Sequence, residues 1–259
     1  MKRLPRFLRV LLSIAAVWAA VLYFLQRIWF YRDPVRVTPA DPDLLISPCD
    51  GQVVYIRRVQ GGQITAQKLG ESIAVTEITH AQWPEGAAPG NGWLIGIYMS
   101  PLDVHFNYAP LSAQVTGIVH NGAKLNLPMV DLWEYVQLTY LRRAVDLFAK
   151  RYALENERQT VFLEGTLGGE PLKVAMVEIA DKFVNKISTY VRVGEAVRPG
   201  QKVSFIERGS QVDLFVFAED IEFLVGVGDQ VYGAQTPIAQ RPVVQRPVAH
   251  RLPQPSGQR

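Results

Sequence analysis

The sequence predicts a mostly β protein of the α+β class. Its core is a flattened β-barrel, or sandwich-hybrid, of short strands and hairpins, with one long amphipathic helix and an N-terminal membrane anchor. Three observations predict this. Short runs rich in β-branched and aromatic residues recur between Gly, Pro and Asp turns, one stretch over 130–152 shows helical spacing, and an uncharged apolar run lies near the N-terminus. With 259 residues, 48% hydrophobic and 20% charged, the chain can bury a real core and falls outside the disordered class. It divides into an anchor and its flank (1–34), a central domain (35–239) and a tail (240–259).

Lys2, Arg3, Arg6 and Arg9 precede the apolar run over 10–25, and Gln26, Arg27, Trp29, Phe30 and Tyr31 follow it. A bilayer core takes roughly 20 apolar helical residues, so this run spans with help from snorkelling arginines and the aromatic flank. A secretory signal shares the basic start but needs small residues at its cleavage point, where Trp18, Tyr23 and Phe24 stand. An uncleaved anchor is therefore expected, the alternative being a helix or hairpin buried against the domain. Basic residues on both sides leave the positive-inside rule little asymmetry to read. The net charge of +3 gathers toward the two ends, which favours an anionic membrane over nucleic acid as partner.

Strands are predicted over 53–56, 93–99, 115–119, 160–163, 172–179, 203–206 and 212–217. Over 130–152 the pattern turns helical. Trp133, Val136, Tyr140, Leu141, Val145, Phe148 and Tyr152 form a stripe, with Arg142, Arg143, Lys150 and Arg151 interspersed. Such a stripe packs a core, while its mixture of basic and aromatic residues leaves a membrane-facing role open. An internal echo follows: 191–206 and 225–239 both read as strand, Gly-acid turn, strand, turn, strand. Lipoyl and biotinyl carrier barrels use similar units but present a lysine at a hairpin tip, where this chain has Gly194-Glu195 and Gly228-Asp229. The proline-rich segment 240–259 predicts a flexible basic tail. The single cysteine, Cys49, rules out an internal disulfide and a Cys-rich metal framework, and no metal site is predicted.

Between the echoes lies Glu207-Arg-Gly-Ser-Gln-Val-Asp213. A Gly-Ser pair alone is an ordinary turn. Just after a strand it acquires a second reading: the Ser210 hydroxyl attacks the Gly209 carbonyl, and glycine suits the site because it offers no side chain to obstruct attack. Elimination then breaks the chain, and hydrolysis leaves a pyruvoyl cap on Ser210 and ammonia. That ketone condenses with a substrate amine and withdraws electrons as carbon dioxide leaves. A hydroxyl at its ordinary pKa needs a base nearby. The four histidines are His80, His105, His120 and His250, the last in the tail. His105 stands in a segment framed by Pro101 and Pro110, and Asp50 in Ser47-Pro-Cys-Asp-Gly51 is a candidate orienter.

Four blocks occur in one order: Ser47-Pro-Cys-Asp-Gly-Gln-Val53; Met99-Ser-Pro-Leu-Asp-Val-His105 with Asn107 and Pro110; Glu155-Asn-Glu-Arg158; and Arg208-Gly-Ser-Gln-Val-Asp213. Together they resemble the phosphatidylserine decarboxylases, above all the short bacterial and archaeal form, and Trp29-Phe-Tyr-Arg-Asp-Pro34 is similar to the stretch after the membrane segment there. The resemblance implies self-cleavage of 35–239 between Gly209 and Ser210 into large and small chains, and a pyruvoyl cofactor made from Ser210. It further implies conversion of phosphatidylserine to phosphatidylethanolamine at the cell membrane, with the domain on the cytoplasmic face. Carried over by motif, Ser210 is the nucleophile, Gly209 the new C-terminus, Asp50 the acidic helper and His105 an acid/base. Long-form enzymes place a second histidine where Tyr108 stands, and the short form often has Phe-Gly-Ser-Arg where this chain has Arg208-Gly-Ser-Gln211. A related decarboxylase for another aminophospholipid or an ether-linked lipid, a non-enzymatic carrier or adaptor barrel, and a homo-oligomer all stay open.

Overall fold

The computed structural model describes residues 5–65, 72–84, 90–123, 125–148, 150–182, 187–207 and 210–242. Gly209, the outermost basic residues Lys2 and Arg3, and the tail from 243 with His250 lie outside them. The chain opens with helix α1 (Arg6–Phe24), which runs through a π-helical turn (Leu25–Trp29). Pro5 sits just ahead of it, where a missing N–H costs nothing. The continuous helix, Arg6–Trp29, has 24 residues and contains an 18-residue window with a mean hydropathy of 2.1, none of it buried. At about 1.5 Å per residue it exceeds a bilayer core of roughly 30 Å. It is the one described helix long and apolar enough to cross a membrane.

Strands then dominate: β1 (Leu44–Ile46), β2 (Gly51–Val59), β3 (Gln63–Thr65), β4 (Ser72–Ala74), β5 (Gly92–Met99), β6 (Phe106–Tyr108), β7 (Ala113–Asn121), β8 (Arg158–Leu167) and β9 (Glu170–Ala180). They continue as β10 (Ile187–Thr189), β11 (Ala196–Val197), β12 (Lys202–Ile206), β13 (Ser210–Val216), β14 (Glu222–Phe223), β15 (Gln230–Val231) and β16 (Pro237–Gln240). Short helices α2 (Val75–Thr79), α3 (Leu132–Thr139) and α4 (Tyr152–Glu155) interrupt them. An antiparallel sheet curled as a half-barrel, in the order β11-β7-β8-β9-β13-β5-β2-β15, forms the spine. Its central strands are covered on both faces, so they read as nearly unbroken apolar runs.

One face packs Val53, Ile97, Met99, Val161, Met176, Val212 and Leu214 against residues such as Leu45, Val203 and Ile238 from two three-stranded sheets, β10-β12-β6 and β1-β16-β14. The other packs Tyr55, Leu94, Tyr98, Phe162, Val177 and Phe215 against the helical segments, through Ile78, Leu138, Leu147 and Tyr152. Each predicted strand falls within an observed one, apart from Phe217, one residue past β13.

Two expectations need correction. The helix predicted over 130–152 is two short helices, α3 and α4, with an irregular stretch between. Asp131 and Glu134 cap α3 with reciprocal side-chain bonds. Beyond Tyr140 the chain turns left-handed at Arg142 (φ 51°), where Arg143 N–H reaches back to the Gln137 carbonyl. Of the predicted stripe Tyr152 is buried, Val136, Val145 and Phe148 are half-buried, and Trp133, Tyr140 and Leu141 are exposed; the inward positions include Leu138 and Leu147, which lie off the stripe. The echoed segments are likewise not self-paired hairpins of a closed barrel. Each turns at a glycine with positive φ, Gly194 (88°) or Gly228 (102°), and lays its two-residue strand on an end of the large sheet, β11 on β7 and β15 on β2. Each then delivers a longer strand, β12 or β16, to one of the small sheets.

The block Glu155-Asn-Glu-Arg158 explains itself in the fold. Arg158 is fully buried and donates to the carbonyls of Asn156 (2.8 Å), Ala153 (2.7 Å) and Ile78 (2.9 Å). Asn156 ties Leu127 and Ala180 together from the same place. Burial lowers the Arg158 pKa to about 10, so it remains a cation at neutral pH. Arg158→Met would strand three carbonyls, at ~1–3 kcal/mol for each buried acceptor left unpaired. The expected outcome is a loss of at least ~3 kcal/mol in a denaturant melt of uncleaved chain, and a midpoint equal to wild type would refute it.

Candidate active site

Three neighbouring strands bring the site to one end of the large sheet. β13 begins at Ser210, which lies opposite Met99 at the end of β5 and Ala180 at the end of β9. β2 begins just after Asp50, with Gln52 opposite Tyr98. Antiparallel register thus sets Asp50, Ser100 and Ser210 at the same end of β2, β5 and β13. Gly51 makes the entry to β2 feasible: it has φ 151°, and a Cβ there would collide with the Tyr98 carbonyl.

Ser210 is completely buried, and among the described residues its hydroxyl contacts only the Met99 sulfur, at 3.1 Å. A thioether is a weak acceptor, so the oxygen has little to hold it. Strand alternation puts Ser210, Val212 and Leu214 on one face and Gln211 and Asp213 on the other. Gln211 is engaged there with Tyr55 (2.6 Å), Asp213 (2.7 Å) and Tyr152 (2.7 Å). Burial raises the Asp213 carboxyl to about 6, against the hydrogen bonds from Tyr55 and Gln211.

The segment after β5 carries the histidine. Asp103 turns it by accepting from the Ser100 amide (2.8 Å) and hydroxyl (2.7 Å). Burial pushes the Asp103 carboxyl up, and these two bonds pull against that. The His105 ring is fully buried, with Nδ1 3.0 Å from the Asp103 carbonyl. A carbonyl can only accept, so Nδ1 carries the proton and Nε2 presents a bare lone pair. Among the described residues that Nε2 has no partner. Burial lowers the His105 pKa to about 3, with Arg32 adding to the effect and the Asp103 carbonyl opposing it. The ring is therefore neutral, and a base, at any physiological pH.

The stretch after α1 closes over this ring. Phe30 is buried and packs on His105 with centroids 4.2 Å apart, while Trp29 and Arg32 donate to the Leu102 carbonyl at 3.3 and 2.6 Å. Tyr31 stacks on Phe205 and Asp33 pairs with Lys202. Burying a phenyl ring stabilises by about 1.5–3 kcal/mol, so the root of the apolar helix is docked at the histidine.

The structure gathers the sequence-predicted residues in one region without linking their side chains directly. Asp50 accepts from Arg36 (2.9 Å) and the Gly233 amide (2.8 Å), and no hydrogen bond joins it to His105 or Ser210 among the described residues. Tyr108 is buried, and burial lifts its phenol to about 12, which keeps it protonated where long-form enzymes have a histidine. Two acids were not singled out as site residues from the sequence. Asp103 sits inside the histidine block, and Glu178 is the one acid in the apolar stretch 174–180 of β9, an anomaly that could have flagged it.

The chain matches the family model described as phosphatidylserine decarboxylase over residues 25–239. It is 31% identical to a phosphatidylserine decarboxylase proenzyme of Trichlorobacter lovleyi, across 88% of this chain and 84% of that one. It is 27% identical to the proenzyme of the same name from Pelobacter propionicus, across 88% and 81%. A Methanothermobacter thermautotrophicus protein, provisionally named an archaetidylserine decarboxylase proenzyme, is 29% identical across 87% and 84%.

Proposed function

The chain belongs to the phosphatidylserine decarboxylase family, and from that premise we propose that it cuts its own backbone before Ser210 and converts phosphatidylserine to phosphatidylethanolamine. It is a lyase of phospholipid synthesis, made as a proenzyme. The observation that carries the residue assignment is the pairing of a loosely held, buried Ser210 hydroxyl with a buried histidine nitrogen free to accept a proton, both delivered by the paired strand ends of β13 and β5.

In this reading His105 Nε2 takes the Ser210 proton as Oγ attacks the Gly209 carbonyl carbon. The peptide C–N bond breaks, the nitrogen of residue 210 leaves as an amine, and an ester joins Gly209 to Oγ. Loss of the Cα proton of residue 210 then expels the Gly209 carboxylate. Water replaces the nitrogen, which departs as ammonia. Asp50, held by Arg36 and the Gly233 amide, supports the strand end beside the reacting serine.

The residues fit the keto cap so formed: it needs no more room than the serine that precedes it, and among the described residues His105 Nε2 and Asn107 Oδ1 are buried acceptors without partners, which suit the N–H groups of a substrate amine and not the cap's own oxygen. Once formed, the cap supplies an electron-withdrawing carbonyl for a substrate amine. His105, Phe30 and the Leu102 carbonyl lie at the root of α1, so a lipid headgroup reaches them from the bilayer surface in which α1 is embedded. This reading puts the domain on the cytoplasmic face of the cell membrane. A second lipid, archaetidylserine, is favoured by the name of the archaeal relative, and turnover of both lipids in parallel decides between them.

Intact mass spectrometry of the purified chain tests the whole reading. Two polypeptides are expected, the smaller starting at residue 210 and lighter by one ammonia than its serine-ended counterpart. A single uncut chain would overturn it.

A further inference from the structure

Glu178 is fully buried on β9, opposite Val212, and shares the face of the sheet that carries Ser210. The two are diagonal cross-strand neighbours, a relation that sets Cβ atoms roughly 7 Å apart. Its carboxyl accepts from the Ser204 hydroxyl and from Gln159 Nε2 (3.0 Å). Ser204 on β12 accepts in turn from Asn107 Nδ2 (2.9 Å), and Gln159 accepts from Thr189 on β10 (2.5 Å). Asn107 lies two residues after His105 on β6, paired with Ser204. One carboxyl thereby joins the strand flanking the serine to the strand that follows the histidine.

We propose that Glu178 is a positioning residue, which holds the histidine strand β6 in register with Ser210 through Ser204 and Asn107. The inference rests on the self-processing reading of Ser210 and His105. Among the described residues no basic side chain forms an ion pair with Glu178. By strand register and burial, the nearby titratable groups are His105 before β6, His120 across Gln159 on β7 and paired with Glu157, Cys49, and Asp213 on the opposite face of β13. Burial raises the Glu178 carboxyl to about 7, against its three hydrogen bonds. Among the described residues Asn107 Oδ1 is an unpartnered acceptor in the same cluster, open to the proton of this acid when it carries one. The unfolded chain releases the proton near 4.5 and the folded chain holds it to about 7, so the stability it supplies is complete below 4.5 and lost as pH rises through 7.

The test follows appearance of the small chain, and then carbon dioxide release, in full-length protein in lipid micelles. Glu178→Ala is expected to slow both by about 10- to 100-fold, as a displacement on the order of 1 Å does. Glu178→Gln, which keeps the shape and the hydrogen bonding, should recover processing and flatten the decline that wild type shows above pH 7. Ser204→Ala should slow processing like Glu178→Ala, and the double variant should be no slower than either. Wild-type rates in Glu178→Ala, or a Gln variant that keeps the wild-type decline, would overturn the proposal. Should the Ala variant fail to fold, the pH profile of Glu178→Gln decides alone. Ser210→Ala run alongside separates the premises: a fragment there defeats the self-processing reading, whereas equal rates with and without Glu178 defeat only the positioning role.

Discussion

Ser210→Ala is expected to give an uncut, folded chain with no decarboxylase activity at all. In the proposed reading the side chain is the source of both the nucleophilic oxygen and the keto cap, so its removal eliminates the reaction instead of slowing it. Folding should survive. The hydroxyl's contact is a thioether sulfur, and losing so weak a bond costs less than the ~1 kcal/mol of an ordinary hydrogen bond. Alanine fits the same strand position opposite Met99 and Ala180. The measurement pairs intact mass with a thermal melt and a lipid turnover assay. Carbon dioxide release from a verified uncut Ser210→Ala chain would defeat the assignment, whatever the melt shows.

The spine of the fold was legible because its strands are buried on both faces. Each of β2, β5, β9 and β13 is a β-branched or aromatic run between turn residues, and no other element fits that pattern at that length. Strand partners were not legible. Gly194 and Gly228 announce turns, yet nothing local says that the strand after each turn pairs with an end of the large sheet and not with its own neighbour. The end of α3 was hidden for a different reason: the chain reverses at Arg142, a residue type that seldom takes a positive φ, with no glycine or asparagine there to give it away.

At the site, the motif residues Ser210, His105 and Asp50 were all visible and all come to one region. Asp50 was the candidate orienter in the sequence, and the hydrogen bond that holds the His105 ring goes to another residue. The His105 ring is oriented by the Asp103 carbonyl, and Asp103 by Ser100, so a backbone atom does what a carboxylate does in a catalytic triad. Sequence spacing carries no signal for a carbonyl. Asp50 answers instead to Arg36, from the segment that follows the aromatic flank of α1. That contact couples the segment after α1 to the start of β2, and no local pattern reveals it.

The second large effect is expected at His105. His105→Asn can keep a donor toward the Asp103 carbonyl but has no atom equivalent to Nε2, so it separates the base from the packing. Loss of a general base typically costs about 10²–10⁴-fold, and fragment release from the precursor should slow by that factor. Lipid turnover by enzyme that has eventually matured reports separately whether the same nitrogen serves the second reaction. His105→Ala leaves a hole under Phe30, and added imidazole should restore part of the rate, which it would not do for a residue that merely packs. The pH behaviour is a further check. With the folded pKa near 3 and the unfolded value at 6.5, acidification from 6.5 toward 3 protonates the unfolded chain first, so His105 makes the fold less stable as pH falls through that window. Glu178 and Asp213, with raised pKa values, pull the other way, and the difference between wild type and His105→Asn isolates the histidine. The Asn variant should therefore lose less stability than wild type between pH 6.5 and 4. Wild-type processing in His105→Asn would remove this nitrogen from the chemistry and leave the Ser210 proton without an acceptor among the residues identified.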